Sequence, residues 1–404
     1  MFQKLKVSSR WRTGKHWLYS HDRTIVLVSI FAALVLYLLL HRLTQLPTSA
    51  LSPAEQNLTN TPIGLHGILT NPFFLASKLQ LTAAIYWFGH SSSFIARLPS
   101  VKLGALAIIC MAIVMRTWHG TKAAVLGCLL FACSAWVLHV SRYASFDSLY
   151  LLSLPLILVG QLALERLKYI WVPYIVLLSW GILLYTPGLI WFIIFAAYRE
   201  RNRFQQAWVS QRLWWQRGIL GLCAIAWLPL MVQFFIRQPR QLIIWLGAPL
   251  KFDGWPQLLH RLTAVPLHLF VHGPAIPERW LGQLPILDVF TLVVTVLGFA
   301  YYLRHWRSGR SRLLLMYSII GTIVIGLGGS ADISLLIPLV YLAAAAGIAG
   351  LSRDWRQRFP LNPVLRAAGT IVLTVVVLAS CAYNLQSYFV AWPHDQATLR
   401  IFKP

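Results

Sequence analysis

The feature that most constrains this chain is a recurring apolar run of about 17 to 25 residues, long enough as a helix to cross a hydrocarbon layer about 30 Å thick. Such runs fall at 24–41, 101–117, 122–140, 147–164, 169–185, 187–198, 218–236, 284–303, 313–329, 332–350 and 367–386. The pair flanking "YTPG" at 185–188 is separated only by a Pro-Gly turn or kink. Composition agrees with the pattern: 58% of the 404 residues are hydrophobic and 11% charged, where soluble domains are about a quarter charged. The expectation is an all-α polytopic membrane protein with about eleven transmembrane helices, forming a single domain over 1–404.

The net charge of +24 does not imply nucleic acid, because the basic residues collect in alternate loops. They lie in a tail over 1–23, then around Arg199–Arg217, Arg304–Arg312 and Arg353–Arg366. Lys/Arg retention on the cytoplasmic side accounts for this without a ligand. The stretch 71–89, "NPFFLASKLQLTAAIYWFG", carries Lys78, Gln80, Tyr86 and Trp87 and reads as a helix lying in the interface. With it uncrossed, every basic cluster falls on one face. The N-terminus is then cytoplasmic, the C-terminus external, and 42–100 and 237–283 are external loops expected to pack together. The five cysteines lie within apolar runs with no metal-ligand spacing, so they read as packing residues.

Acids are scarce, 11 against 35 basic residues, and most of them fall on the external side. Glu55 stands in "LSPAEQNLTN"; Asp147 stands in "HVSRYASFDSLYLL" at the mouth of a span, five residues after Arg142. A carboxylate at a membrane boundary is costly unless solvated or paired. Asp147 therefore reads either as a helix-start residue paired with Arg142 or as a functional acid. His260, His268 and His272 are spaced by eight and four residues around Pro266, which defines no single helical face, so no metal site is expected. Trp245, Trp255 and Trp280 fit interfacial anchors.

The order of these features resembles the GT-C membrane glycosyltransferases, in the bacterial branch related to protein O-mannosyltransferases and aminoarabinose transferases. The elements that carry it are the helix opening "NP" and ending "YWFG", then "FIARLPSVKLGAL", "SRYASFD", "LHLFVHGPAIPERWLGQLPILD" (267–288) and "LLIPLVYLAAAAG" (335–347). Where that family usually has adjacent acids in the first loop, this chain has "SPAE"; before the late Pro-containing span it has "GGSADISLLIP", without a base.

The resemblance implies a hexosyl- or pentosyltransferase in a bacterial plasma (inner) membrane. Its donor would be a polyprenyl-phosphate sugar and its acceptor a lipid, glycan or protein on the external face. Glu55 would be the general base of an inverting transfer, with Asp147 as a second catalytic acid. One carboxylate is sufficient because the leaving phosphate is already a stable anion. The departing charge needs preorganised cations, for which the external pool is Lys78, Arg97, Arg142, Lys251, Arg261 and Arg279, with His272 nearby. Arg97, beside Pro99, serves equally well as a helix-end or carbonyl-binding residue. No cofactor is implied. The alternatives from other classes are a transporter or lipid flippase, which would favour acids at span centres, and an envelope polysaccharide polymerase or ligase.

Overall fold

A computed structural model describes residues 29–48, 50–60, 64–89, 92–166, 169–211, 213–251 and 254–402. The basic cluster expected over 1–23, Arg212 and Asp253 lie outside the described residues. The chain divides into two units, Met1–His41 and Arg42–Pro404. In the first, the described part is an apolar helix over Ser29–Leu40. The second unit is built of helices, with no strand among the described residues.

A helix occupies each of the remaining apolar runs, but they differ in length. Among the described residues six are long and apolar enough to cross a membrane: Ser93–His119, Ser148–Arg166, Trp214–Arg237, Gly309–Gly326, Ile333–Arg358 and Pro363–His394. Thr121–Cys133 and Ala135–Arg142 form a seventh only as a pair bent by 59°. Val172–Leu183 and Val289–Arg304 are apolar but shorter. The expected eleven crossings are therefore not reproduced as eleven full-length helices: polar ends and breaks shorten several of them.

The bend has an identifiable cause. Ser134 leaves the helical region (φ −56°, ψ 128°), and the next free amide, Ala135 N–H, donates to Asn384 Oδ1 at 3.2 Å. Asn384 Nδ2 in turn donates to Asp288 Oδ1 at 3.1 Å, and Ser380 donates to Asp288 Oδ2 at 2.8 Å. A backbone group freed in an apolar layer must find such partners.

The centre of the unit is Ile333–Arg358, whose stretch Ile337–Ile348 is buried throughout. It packs against Val289–Arg304 along a seam of small residues. A side chain at Gly298 would strike the carbonyl of Ala343, and one at Gly347 the carbonyl of Val294, so glycine here lets two backbones touch. The helices Trp214–Arg237 and Pro363–His394, by contrast, expose apolar residues such as Leu222, Ile236, Val372 and Val375, as a lipid-facing surface does. All five cysteines are buried.

Of the two segments expected to be external loops, the first folds into three short helices, Pro53–Asn60, Leu65–Thr70 and Leu75–Phe88. The second contains Gln241–Trp245 and Trp255–Phe270. Ile68 and Leu75 from the first join Tyr185 and Met231 in one buried cluster, and Trp245 from the second packs against it.

Candidate active site

Glu55 opens the helix Pro53–Asn60 and is completely buried. Its Oε1 accepts from Arg97 Nε at 2.9 Å and from Ala144 N–H at 3.0 Å; its Oε2 accepts from Arg97 Nη2 at 2.9 Å and from Ser52 N–H at 3.1 Å. Four donors fill the approximately four lone-pair sites of a carboxylate. Arg97 is equally occupied, since Nη1 donates to the carbonyls of Leu43 and Leu46 at 2.7 and 3.0 Å. In this geometry the groups expected to accept a proton and to bind a phosphate are engaged with each other. The pair ties residues 43–55, the start of Ser93–His119 and the turn at 144 to one another.

That turn carries Asp147. Ser100 Oγ donates to the carbonyl of Ser145 at 3.1 Å, and the Asp147 carbonyl accepts from Tyr150 and Leu151 N–H, opening Ser148–Arg166. The macrodipole of that helix favours a negative charge at its start. The ion-pair partner of Asp147 is Arg279, which lies 132 residues away in sequence. Arg142, the partner expected from spacing, is buried instead with its guanidinium 5.1 Å from the Tyr388 ring centre and 5.0 Å from that of Phe389.

Around the Asp147–Arg279 pair stand Tyr143, Glu278 and Asp332, three groups that spacing did not single out. Arg279 lies 5.0 Å over the ring of Tyr143. Burial pushes the Tyr143 phenol upward, so it stays protonated and donates to Glu278 Oε2 at 3.1 Å, while Ser52 Oγ meets it at 2.5 Å. Asp332 is the third group. It caps the short helix Ile333–Leu335, accepting from Ser334 N–H at 2.9 Å. Burial and the neighbouring Asp147 carboxylate push Asp332 up to about 6, the behaviour of two acids that resist sharing a site fully ionised. The clues in the sequence were its place among the acids expected on the external side and its position in "GGSADISLLIP", just before the late Pro-containing span.

Lys78 reaches the same region by another route. Phe74 takes a left-handed conformation (φ 58°, ψ 37°), which costs a bulky residue on the order of 1–3 kcal/mol. It is held there by its N–H donating to the Tyr185 carbonyl at 2.9 Å and by its ring stacking on Phe146 at 4.9 Å. The helix that follows carries Lys78, whose Nζ lies 6.0 Å from the Phe146 ring centre and donates to the Asn71 carbonyl at 2.6 Å. Burial brings the Lys78 ammonium down to about 8. Arg261 packs against Gly328, in the segment leading to Asp332. Lys251 and His272 are both exposed; the His272 carbonyl bonds to the His268 ring at 2.9 Å.

No protein-family model and no curated protein matches the sequence. Solved structures do. The chain superposes on ArnT from Cupriavidus metallidurans bound to undecaprenyl phosphate with a TM-score of 0.53, at 13% identity, over 92% of this chain and 76% of that one. It superposes on the Archaeoglobus fulgidus oligosaccharyltransferase tethered to an acceptor peptide with a TM-score of 0.52, at 13% identity, over 95% of this chain and 56% of that one. The chain has the GT-C fold. The GT-C resemblance read from short sequence elements thus holds in three dimensions over nearly the whole chain. Its apolar helices make this an integral membrane protein of that fold.

Proposed function

We propose that the protein is a membrane glycosyltransferase that moves a sugar from a polyprenyl-phosphate donor to an acceptor hydroxyl or amine, with Asp147 as the base. The observation that carries this reading is the Asp147–Arg279 pair beside Asp332, at one end of a GT-C fold. The structures of similar fold, one holding undecaprenyl phosphate and one an acceptor peptide, support a lipid-linked donor and an acceptor.

In the step proposed, the acceptor heteroatom forms a bond to the anomeric carbon as the bond from that carbon to the phosphate oxygen breaks. The acceptor proton passes to the Asp147 carboxylate, and the bonding pair leaves with the polyprenyl phosphate. Arg279 orients Asp147 and lies close enough to counter the acids around it. Lys78, a cation below about pH 8, and Arg261 are assigned to the phosphate. Glu55 acts through Ala144, positioning the turn that bears Asp147. Lys251 and His272 remain available to larger acceptors at the external rim.

The test is transfer from radiolabelled undecaprenyl-phosphate sugars, hexose and pentose, in proteoliposomes. Asp147→Asn should lower turnover by about 10² to 10⁴, the usual contribution of a positioned base, with donor binding kept. Full turnover by that variant would remove Asp147 as base. Absence of transfer by the wild-type protein from every such donor would remove the transferase reading.

A further inference from the structure

The helix Ser93–His119 begins beside the Asp147 turn and, at 27 residues, carries the chain about 40 Å to the opposite end of the fold. Three adjoining cavities of about 410, 330 and 110 Å³ open there, and Arg353 lines all three. Lys122, Arg304, Arg310 and Arg356 complete the basic wall. Among the described residues no carboxylate lies within 4.0 Å of any of these five cations. Asp354 is the acid on the wall of the 410 Å³ cavity. Crowded like charges destabilise one another, and a bound anion offsets that repulsion.

Two of the cations, though exposed, are oriented by hydrogen bonds. Arg310 Nη1 donates to the Trp118 carbonyl at 3.0 Å. Arg356 clamps Ser352, through Nε to its carbonyl and Nη2 to its hydroxyl, each at 2.9 Å. Ser352 and Arg356 also line a neighbouring cavity of about 520 Å³. That cavity is a groove between the helices Ile337–Arg358 and Pro363–Gln386, walled by Leu351, Trp355, Ala368, Val372 and Val376. The basic pocket and the apolar groove therefore share an edge. A free phosphate would use only the pocket, whereas a molecule with both an anionic head and an apolar chain uses both.

We propose that this end of the protein binds an anionic diacyl phospholipid, its phosphodiester against Arg353, Arg356 and Lys122 and one acyl chain along the groove at Ala368. This site is separate from the transferase reading and stands or falls without it. Basic pockets between spans at the cytoplasmic side suit such headgroups.

Native mass spectrometry of the detergent-solubilised protein tests it, with dioleoyl phosphatidylglycerol, dioleoyl phosphatidylcholine and inorganic phosphate as the added probes. Phosphatidylglycerol should be retained about tenfold or more over phosphatidylcholine, as expected for several cations near one phosphate. Lys122→Gln with Arg353→Gln should abolish that preference, and Ala368→Phe should weaken retention of both lipids by filling the groove. Where the double variant does not fold, the single Arg356→Gln variant should at least halve the preference. Equal retention of the two lipids, an unchanged preference in a folded arginine variant, or displacement of phosphatidylglycerol by millimolar inorganic phosphate would each overturn the proposal.

Discussion

At the scale of single residues, two acids of similar appearance in the sequence meet different environments. Glu55 is enclosed by four donors, and removing one partner of a buried pair leaves the other charge unpaired at a cost of about 3–5 kcal/mol. Glu55→Gln should therefore lower the thermal unfolding temperature sharply, and Arg97→Ala should do the same without a further additive loss in the double variant. Asp147 and Arg279 are both partly exposed, at 17% and 27% of their side-chain surface, so Asp147→Asn should cost far less stability and far more turnover. A pH profile separates the remaining charges. Lys78 loses its proton near pH 8, so turnover should fall above that value, and Lys78→Arg should move the alkaline limb upward. Asp332 carries the opposite consequence for stability. Its pKa stands above the ordinary 3.8, so the folded protein binds that proton more tightly than the unfolded chain. The contribution is complete below about 3.8 and lost as pH rises through about 6.

At the scale of elements, the bend at Ser134 and the left-handed Phe74 are two places where the chain departs from regular helix. Asn384 serves two demands at once, accepting from Ala135 N–H and donating to Asp288. Asn384→Leu keeps a side chain of similar size but leaves the Ala135 amide without that acceptor, a loss of about 1–3 kcal/mol for an unsatisfied buried donor. The measurement is the midpoint of thermal unfolding in detergent, which should fall for Asn384→Leu and hold for Leu222→Ala on the exposed apolar surface. The hydropathy pattern located every one of these helices. It did not reveal that several are too short or too bent to be simple spans, because an average over a window is blind to where a Ser or Pro redirects the backbone.

At the scale of the whole molecule, orientation decides which solution each site meets. The orientation expected from the charge pattern has Arg304–Arg312 in the cytoplasm and 237–283 outside. A membrane-impermeant thiol reagent applied to intact cells should label Ile276→Cys and leave Arg307→Cys untouched until the membrane is opened. The reverse pattern would move the Asp147 cluster to the cytoplasmic side and the basic cavities to the outside. The fold links the two ends through Ser93–His119, so both assignments change together.

By itself the sequence determined that this chain is a helical membrane protein and where its long apolar helices fall, because apolar length is a local property. It also carried enough short motifs, spread from "YWFG" to "LLIPLVYLAAAAG", to mark the GT-C resemblance. Only the tertiary structure decided which charges meet. Arg142 is five residues from Asp147 and points to aromatic rings, while Arg279 reaches it from 132 residues away. Asp332 joins the same cluster from the start of another span. Spacing along a chain limits only near neighbours, and a carboxylate in a low-dielectric setting is governed by whichever cation or acid the packing of distant helices brings alongside it.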